Sequence, residues 1–556
     1  MAWFRQLGRA LRNLARITRA NPIWAVQSLV LSPLRLIRHL FGVLMTFVAT
    51  TLVLTLGANL AFWYFAVPKT SALYAWAMPL IGLMILLVTL RAFLQPLILA
   101  YGYSPGDDTH GSARFATDAE SRSYARDTGL LIGRDRKSGK PLRYAGPAHL
   151  LTIAPTRTGK GVGTIIPNLL DYRGPVVCID PKGENARITA RQRAKFGPVH
   201  VLDPFGATSL PSAAFNPLDR LDPDGLDLVD DAMTLADALV YDAPGEAGDA
   251  HWNDEAKALI AGILLWVACD PQFQGKGRSL ETVRDCLTLA PDKFQKMLRD
   301  MSRSAQARGL IARAANRYLG KSDREAAGVL SAAQRHTHFL DSPRMSAVLG
   351  RSDFSFADVK AQPTTIFLVV PPDRLATYAR WLRLMLAQGL TDLARAPASP
   401  AHPVLFLLDE FAALGRLEPV ERAMGLMAGY GIQLWPILQD VHQLRALYER
   451  RAGTFLSNAG VLQVFGVNDH DSARLVSDLL GQETVVFETM SRALDAEGTG
   501  LSFGTQHIGR PLLTPDEVRT LREDRQILFL AGQRPIVATK LRYFADREFA
   551  GRFDKA

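Results

Sequence analysis

Hydrophobic positions divide the chain into a strongly apolar N-terminal part and a longer part of mixed pattern. The N-terminal part contains two long apolar segments, 41–67 and 73–94. At about 1.5 Å per residue, each is long enough to cross a hydrocarbon core of roughly 30 Å. Arg91 interrupts the second segment near its end, where a long cationic side chain reaches the membrane interface. The pattern predicts a hairpin of two membrane-spanning helices. A cleaved signal peptide is disfavoured because the first apolar segment starts late and a second one follows.

Short apolar runs followed by helical spacing begin near residue 145 and continue through the rest of the chain. They lie at 150–154, 176–179, 366–370, 404–408, 434–438 and 461–465. This alternation predicts an α/β fold with a mostly parallel sheet that is covered by helices on both faces. The stretch between the second and third runs exceeds any ordinary crossover, and after Asp227 it has helical spacing. It predicts an all-α domain inserted into the sheet domain at 271–350.

The formal net charge of +10 is concentrated in residues 1–40, which contain seven arginines and no acidic residue. Subtracting those seven charges leaves +3 for the remainder, and the first carboxylate of the chain is Asp107. A basic segment directly before an apolar one favours an anionic membrane surface over DNA as its partner. Lys69 is the only charged residue between the two apolar segments, whereas seven arginines precede the first. The positive-inside rule therefore predicts that both ends of the hairpin are cytoplasmic.

The basic segment has helical spacing that leaves two interpretations open. Its apolar and its basic positions recur on different faces: Phe4, Leu7, Leu11 and Leu14 on one, and Arg5, Arg9, Arg12 and Arg16 on another. This pattern is typical of a helix that lies in the lipid headgroup layer, and equally of a solvated basic tail.

Length and cysteine content narrow the class of protein. A chain of 556 residues, 48% apolar and 21% charged, is too long for one core and too apolar for a disordered protein. Its cysteines, Cys178, Cys269 and Cys286, are far apart in sequence. A local disulfide framework and a cysteine zinc site are therefore excluded, and a reducing compartment is expected.

A candidate phosphate-binding loop follows the first apolar run, at 154–161, and precedes a helical pattern. A glycine-rich turn there exposes successive N–H groups to phosphate, and the lysine reaches the β and γ oxygens. The residues expected to contact nucleotide are Thr156, Arg157, Thr158, Gly159, Lys160, Gly161 and Val162. The match is imperfect, because Ala154 replaces the first glycine and Gly161 replaces the hydroxyl residue that normally binds magnesium. An ordinary turn is the alternative for this segment alone.

A second motif strengthens the first: the apolar run 404–408 ends in Asp409 and Glu410. This is the form of a Walker B element, in which Asp409 binds Mg²⁺ through water and Glu410 polarises the attacking water. Gln439 ends the next run, where a polar residue senses the γ-phosphate or caps a helix. We therefore predict Lys160, Glu410 and Gln439 as catalytic residues.

These residues belong to a series of motifs that resembles the TraG/VirD-type coupling proteins of type IV secretion and conjugation systems. The matching segments, in chain order, are 110–116, 154–168, 177–184, 202–205, 215–218, 408–415, 468–469 and 480–481. Glycine after the loop lysine also occurs in that family. The resemblance implies a RecA-like P-loop NTPase domain with an inserted all-α domain and an N-terminal two-helix transmembrane anchor. The expected organisation is a basic amphipathic cytoplasmic segment at 1–40, a transmembrane hairpin at 41–100, a nucleotide-binding domain at 107–270 and 351–556, and the all-α domain at 271–350.

The resemblance also implies a function. It predicts a two-pass bacterial inner-membrane ATPase, with its N-terminus and ATPase domain in the cytoplasm, that uses ATP and Mg²⁺. Its expected partners are protein effectors or a relaxase–DNA substrate, the type IV secretion channel with its other ATPases, and further copies of itself in a homo-hexamer. Non-specific DNA binding is an additional expectation. The motor motifs do not distinguish a nucleoprotein cargo from effector proteins.

The segment after the second predicted strand and three arginines are further candidate site residues. Asp180, with Lys182 and Glu184, follows a predicted strand and either lines the nucleotide pocket or forms a plain turn. A ring-shaped motor commonly needs an arginine from a neighbouring subunit. The candidates are Arg416, Arg474 and Arg492, each of which is also a candidate for a surface ion pair.

Three other functions remain open at this point. An FtsK-like double-stranded DNA translocase has a similar fold, but the residual charge of +3 and the long insertion disfavour it. A non-hydrolysing membrane docking receptor would explain Gly161 as part of a decayed site. A transporter is disfavoured because two spans without charge deep in the membrane offer no pathway.

The charge pattern gives a first testable prediction about topology. A reporter fused after Ala72 should be periplasmic, and reporters fused at the N-terminus or after Gly106 should be cytoplasmic, because the arginines resist translocation. Paired alkaline phosphatase and green fluorescent protein fusions measure this. A cytoplasmic signal at Ala72 would refute the hairpin.

Overall fold

The computed structural model describes residues 2–20, 22–101, 110–241, 250–397, 400–495 and 498–555. Its helices are α1 (Ala2–Ala20), α2 (Pro22–Tyr64), α3 (Ala72–Tyr101), α4 (Asp118–Arg122), α5 (Ile166–Asp171), α6 (Glu184–Arg193), α7 (Leu228–Leu239), α8 (Ala250–Cys269), α9 (Leu280–Leu287), α10 (Pro291–Ser302), α11 (Leu310–Leu319), α12 (Asp323–Thr337), α13 (Pro343–Leu349), α14 (Leu375–Arg395), α15 (Glu418–Leu426), α16 (Val441–Tyr448), α17 (Ala452–Asn458), α18 (His470–Leu480) and α19 (Pro515–Arg519). Its strands are β1 (Leu130–Arg134), β2 (Pro141–Tyr144), β3 (His149–Ile153), β4 (Val176–Asp180), β5 (Val199–Leu202), β6 (Thr365–Val369), β7 (Val404–Leu408), β8 (Ile432–Leu438), β9 (Ala459–Val464), β10 (Gln482–Asp495), β11 (Gly498–Pro511), β12 (Arg525–Leu530) and β13 (Ile536–Thr539). Contacts divide the chain into two units, Met1–Ser112 with Gln482–Arg510, and Ala113–Gly481 with Pro511–Ala556.

The first unit contains the long apolar helices. Within α2 and α3, the segments His39–Tyr64 and Ala72–Ile98 are long and apolar enough to cross a membrane. Large apolar side chains such as Leu60 and Trp63 are 67% and 81% exposed. Such exposure is unfavourable in water and suits a surface that faces lipid. These segments agree with the spans predicted at 41–67 and 73–94.

The strands β10 and β11 pair with each other and are grouped mainly with this first unit. The His110 N–H donates to Thr484 Oγ1 at 3.1 Å, and Ser112 forms an antiparallel bridge with Glu483. The residues that precede the sheet domain are thus tied to the start of β10. Sequence analysis assigns 482–510 to the nucleotide-binding domain and predicts no strand pair there.

The second unit is built on one sheet. Within the described residues its strand order is β2-β1-β13-β12-β9-β3-β8-β7-β4-β6-β5. The run from β9 to β5 is parallel, whereas β2, β1, β13 and β12 form an antiparallel edge. The six apolar runs of the sequence correspond to β3, β4, β6, β7, β8 and β9, so the predicted α/β fold is confirmed. The remaining strands are short or contain polar residues, so they do not form apolar runs in the sequence.

The parallel strands are covered on both faces. Every residue of β3, β4, β6, β7, β8 and β9 is buried. Alternate side chains point to opposite faces, since Val177 and Ile179 belong to one apolar cluster and Val176 and Cys178 to another. Because both faces are closed, polar ligands have access only to the strand ends, and the carboxyl ends carry the loops that form sites.

Helices α7 to α13 lie in the chain between β5 and β6 and form a helical layer. Helix α8 contacts α7, α9, α11 and α12, and α10 contacts α11. The layer has its own apolar interior, in which Leu259, Ile263, Val283 and Ile311 are at most 2% exposed. The predicted start of the insertion at 271 falls inside this layer, because α7 and α8 precede it. The domain limits remain a prediction.

Asn168 links the helix after the phosphate loop to the antiparallel edge. Its Nδ2 donates to Leu131 O at 2.9 Å and to Thr164 O at 2.8 Å, and its Oδ1 accepts the Leu131 N–H at 2.8 Å. The residue is 1% exposed, so water does not compete for these groups. The amide therefore fixes α5 against β1.

We expect Asn168→Ala to lower the free energy of unfolding by about 3 kcal/mol, because each buried peptide group left unpaired costs roughly 1–3 kcal/mol. Urea unfolding of the detergent-solubilised chain measures the loss. Asn316→Ala is the matched control, since Asn316 is exposed on α11. Equal losses for the two variants would contradict the role of Asn168.

Candidate functional site

A cavity of about 800 Å³ lies at the carboxyl ends of β3, β4, β6 and β7. Of the residues predicted from the sequence, those that line it are Thr156, Arg157, Gly159, Lys160, Gly161, Val162, Asp180, Lys182, Glu184, Asp409 and Glu410. Its other lining residues are Ile166, Pro181, Asn185, Pro372 and Leu375. Parallel pairing brings these loops to one edge although they are far apart in sequence.

The loop after β3 has the backbone of an anion-binding turn. Arg157 and Gly159 lie in the left-handed region, with φ of 62° and 94°. The Gly163 N–H then donates to Gly159 O at 2.8 Å, and a π-helical turn at Gly161–Ile165 continues into α5. The first N–H groups of a helix have no partner within it and attract anions.

Thr158 is the predicted loop residue that does not line the cavity. Its Oγ1 donates to Pro155 O at 2.6 Å. Its methyl group lies against Gly466, where an added Cβ would be only 2.4 Å from it. Gly466 also has a φ of 66°, so this close approach needs glycine. Thr158 thus braces the loop against the turn that follows β9.

Lys160 reaches past the end of β8 to the carboxylates that follow β7. Its Nζ lies 3.0 Å from Asp409 Oδ1 and 2.5 Å from Glu410 Oε1. Gln439, which follows β8, donates from Nε2 to Glu410 Oε2 at 3.0 Å. The side chains of Lys160 and Asp409 are each 13% exposed. The structure therefore brings the predicted catalytic and metal-binding residues into one hydrogen-bonded cluster.

Burial and ion pairing shift the pKa values of the residues in this cluster in opposite directions. Burial lowers the pKa of Lys160, but the charges of Asp409 and Glu410 outweigh it, and the pKa is raised. Burial acts to raise the pKa of Glu410, but the hydrogen bond from Lys160 outweighs it, and the pKa is lowered. At Asp409 burial dominates, and its pKa is raised despite Lys160. The ionised form of Asp409 would therefore be stabilised by an additional cation.

Glu410 has a strained backbone, with a φ of 51°. A non-glycine residue in this region costs on the order of 1 kcal/mol and needs surrounding contacts to hold it. The Glu410 N–H donates to Asp409 Oδ1 at 3.0 Å. A 3-10 turn follows at Phe411–Leu414 and ends at Gly415, where an added Cβ would be 1.6 Å from the Tyr241 hydroxyl. These contacts hold Glu410 with its carboxylate between Lys160 and Gln439.

Asp180 lines the cavity where α6 begins. It is 1% exposed, and its Oδ2 accepts the Ala186 N–H at 2.8 Å. Burial raises the pKa of Asp180 to about 6, although the N–H groups of α6 oppose this. Lys182 and Glu184 line the same wall, and Gly183 turns the chain with a φ of 65°. The two interpretations of this segment are therefore compatible, because the turn itself forms the cavity wall.

The donor set suits a magnesium ion that is bound partly by water and phosphate. Among the described residues no group of three or more His, Cys, Asp or Glu side chains is arranged to hold a metal. Mg²⁺ commonly uses one or two carboxylates together with waters and substrate phosphates, and Asp409 is a carboxylate at the cavity wall. A Cβ added at Gly161 would meet nothing within 4 Å, so the loop is open beside this residue.

Two of the three candidate arginines, Arg416 and Arg474, do not line the cavity. Arg416 lies 3.9 Å from Glu418 and 3.7 Å from Glu421. Arg474 is exposed on α18, and neither arginine lines the cavity. The side chain of Arg492 lies outside the described residues. The identity of an arginine that acts on a neighbouring subunit remains a prediction.

Sequence reasoning missed at least four residues that shape the site, Asn185, Pro372, Leu375 and Lys540. Pro372 and Leu375 line the cavity after β6, and their position after a parallel strand was the available signal. Lys540 donates from Nζ to Thr158 O at 2.7 Å. No local motif marks Lys540, because it reaches the loop only through the order of the strands.

Comparison with known proteins agrees with this geometry. Residues 115–556 match the family model described as type IV secretory system conjugative DNA transfer. The conjugal transfer protein TraG of Escherichia coli is 31% identical over 463 residues, which cover 76% of this chain and 72% of that protein. Protein VirD4 of Agrobacterium fabrum (strain C58) is 29% identical over 522 residues, 89% of this chain and 74% of that protein. The solved plasmid coupling protein TrwB, in complex with ADP and Mg²⁺, has a TM-score of 0.59 at 17% identity and matches 80% of this chain and 97% of its own, which supports the fold.

Proposed function

The chain belongs to the type IV secretory system conjugative DNA transfer family, and we propose that it is a membrane-anchored ATPase that couples hydrolysis to substrate transfer. Membership confirms the resemblance that the motifs indicated and makes the chain a coupling protein. ATP hydrolysis, the substrate, insertion in the inner membrane and assembly into a homo-hexamer at the secretion channel are the proposed parts.

The observation that carries the proposal is the position of Lys160 within hydrogen-bond distance of both carboxylates after β7. The cavity of about 800 Å³ is within the range of small-molecule sites. A triphosphate entering it would meet the unpaired N–H groups of the loop and a lysine that exchanges its carboxylate partners for phosphate oxygens. The complex of TrwB with ADP and Mg²⁺ supports the same ligands here.

Each residue of the cluster has a distinct proposed role. Lys160 binds the β and γ phosphate oxygens and stabilises the charge that develops on them. Glu410 is ionised and accepts a hydrogen bond from the attacking water, while Gln439 holds its carboxylate in place. Mg²⁺, held by Asp409 through water, would supply further positive charge to the phosphates.

Two alternatives remain, a non-hydrolysing docking receptor and a double-stranded DNA translocase. Strained backbone is retained only where the surrounding contacts hold it, and at Glu410 the strain orients a carboxylate for water. A receptor that only binds nucleotide has no need of this arrangement, so the geometry favours hydrolysis. The translocase is disfavoured by the residual charge of +3 outside the N-terminal segment.

We expect Lys160→Ala to weaken nucleotide binding, and Glu410→Gln to bind ATP but to slow hydrolysis at least about a hundredfold, which is about 3 kcal/mol of transition-state stabilisation. The amide of the Gln variant keeps the shape of Glu410 and loses its charge. Binding of a fluorescent ATP analogue and phosphate release by the full chain in detergent measure the two effects.

Gly161→Ser is the matched control in the same loop, because the space beside Gly161 is open and a hydroxyl there suits magnesium. It should hydrolyse ATP at the rate of the unchanged chain. Wild-type turnover by Glu410→Gln would remove Glu410 from its proposed role. Loss of activity in Gly161→Ser would show that the metal side of the site is different.

The helical layer carries a basic face that we assign to substrate recruitment. Its exposed cations on α10, α11 and the turn between them are Lys293, Lys296, Arg299, Arg303, Arg308, Arg313 and Arg317. Residues 291–319 contain only Asp292 and Asp300 as carboxylates. Arg317 pairs with Glu255 at 2.6 Å, while the described residues place no carboxylate within 4.0 Å of the other six cations. Such a face favours an acidic segment of a protein substrate.

Apolar surface lies beside this face. Lys293 and Lys296 line a cavity of about 410 Å³ together with the apolar side chains of Trp266, Phe273 and Met297 and the carboxylates of Asp285 and Asp300. A peptide that combines acidic residues with an apolar anchor would use both features, because buried apolar contact provides affinity and charge provides selectivity. The proposed substrate signal is therefore an acidic segment with a large apolar side chain.

The combined variant Lys293→Glu, Lys296→Glu and Arg299→Glu should weaken binding of a labelled glutamate-rich peptide, because three attractive charges become repulsive. We expect a loss of roughly tenfold or more in affinity, which corresponds to about 1.4 kcal/mol. Fluorescence anisotropy at two salt concentrations measures the effect, which should shrink at high salt. The matched control reverses three exposed cations elsewhere, Arg122, Lys140 and Lys195. An equal loss in the control, or an unchanged affinity in the first variant, contradicts the assignment.

A further inference from the structure

Two arginines of the second unit, Arg383 and Arg193, are buried and donate mainly to backbone carbonyl groups. Arg383, on α14, is 5% exposed, and Arg193, in the last turn of α6, is fully buried. Within the described residues neither guanidinium has a carboxylate within 4.0 Å. Burial lowers the pKa of each to about 10, so both are charged near neutral pH. The two arginines differ in which carbonyl groups they hold.

Arg383 holds the far end of the turn that starts at Glu410. Its Nη1 donates to Leu414 O at 2.9 Å and to Arg416 O at 2.7 Å. A 3-10 turn lies between these carbonyls and Glu410, whose own carbonyl accepts the Ala413 N–H at 2.9 Å. One guanidinium thus fixes the end of a short segment whose first residue carries the carboxylate proposed to polarise water.

The same turn is packed against aromatic rings. The guanidinium of Arg383 lies 4.1 Å from the centre of the Tyr241 ring. The Tyr241 hydroxyl fills the space over Gly415, which has a φ of 67° and no room for a Cβ. The next N–H beyond the turn, that of Leu417, donates to the Tyr448 hydroxyl at 3.2 Å. Groups from outside the turn therefore fix it, and Arg383 supplies hydrogen bonds to its carbonyls.

The strained backbone of Glu410 depends on such contacts. With a φ of 51°, it keeps this conformation only where the surrounding structure holds it. Without Arg383, Leu414 O and Arg416 O lose this buried donor, and the turn gains a reason to rearrange towards other partners. The Glu410 carboxylate would then leave its place between Lys160 and Gln439.

We propose that Arg383 is a positioning residue for ATP hydrolysis, which acts through the turn at 410–416 to keep the Glu410 carboxylate directed at the attacking water. The proposal rests on the proposed ATPase function and adds to it a residue on α14 that belongs to no nucleotide motif. Arg383 does not line the cavity, so it has no direct contact with nucleotide to lose. Its removal should therefore lower kcat and leave KM nearly unchanged.

Arg383→Gln should lower the kcat of the full chain in detergent about tenfold and change KM for ATP less than about twofold. Phosphate release over a range of ATP concentrations measures both constants. Arg383→Met is the second variant, because it fills a similar volume without burying a polar group, and it should fold where the Gln variant does not. It should show the same loss. A wild-type kcat in either folded variant overturns the proposal.

Arg193→Gln is the matched control. Arg193 donates to Tyr172 O, to Gly174 O at 2.7 Å and to Thr365 Oγ1 at 2.7 Å. These groups lie just before β4 and at the start of β6, at the edge of the sheet opposite the cavity. The control should lower the thermal unfolding midpoint about as much as Arg383→Gln does and leave kcat unchanged. Equal losses of kcat in the two variants would show that activity follows stability alone, which contradicts the proposal.

A double-mutant cycle tests whether Arg383 acts through Glu410. In the Glu410→Gln background, Arg383→Gln should change the remaining kcat less than about twofold, because the carboxylate that it positions is already absent. Single-turnover phosphate release at high enzyme concentration measures these low rates. A further tenfold loss in the double variant would mean that the two residues act independently, and the proposal would fail.

The same measurements separate this inference from the function on which it rests. If the unchanged chain hydrolyses no ATP, the proposed function is refuted and the role of Arg383 with it. If Glu410→Gln loses activity while Arg383→Gln and Arg383→Met keep it, only the role of Arg383 is refuted.

Discussion

A buried ion cluster of one lysine and two carboxylates governs the geometry of the site. Lys160 belongs to the loop after β3, while Asp409 and Glu410 follow β7, and β8 lies between these strands. Removing one partner of a buried ion pair commonly costs roughly 3–5 kcal/mol, so the cluster constrains the loops at the carboxyl edge. A phosphate that competes for Lys160 would release both carboxylates at once. Nucleotide binding and the state of Glu410 are thus physically linked.

Further contacts connect the strained turn at Glu410 to the helices. Arg383 on α14 donates to Leu414 O at 2.9 Å and to Arg416 O at 2.7 Å. Its guanidinium also lies 4.1 Å from the centre of the Tyr241 ring, and Tyr241 packs on Gly415. Helix α14 begins at the cavity wall and contacts α7 of the helical layer. A continuous set of packed groups therefore connects the carboxylates to the layer that carries the basic face.

Charge is distributed so that each region suits a different partner. The N-terminal arginines precede two apolar spans whose large side chains are exposed, a combination suited to an anionic membrane surface. The cations of α10 and α11 have few carboxylates near them, whereas Lys160 is neutralised within the cavity. None of the cations of α10 and α11 lines the cavity that contains Lys160, so the two groups of charge belong to separate surfaces.

Local pattern alone determined the two long apolar helices, the six central strands and most of the cavity wall. Apolar run length and helical spacing are properties of neighbouring residues, and a phosphate loop or a strand ending in Asp409 and Glu410 is a contiguous motif. The tertiary structure alone decided that Thr158 braces the loop, that Gln439 contacts Glu410, and that Lys540 reaches the phosphate loop. The strand pair β10–β11 and the extent of the helical layer also emerged only there. These features depend on strand order and on contacts between distant segments, which no local periodicity encodes.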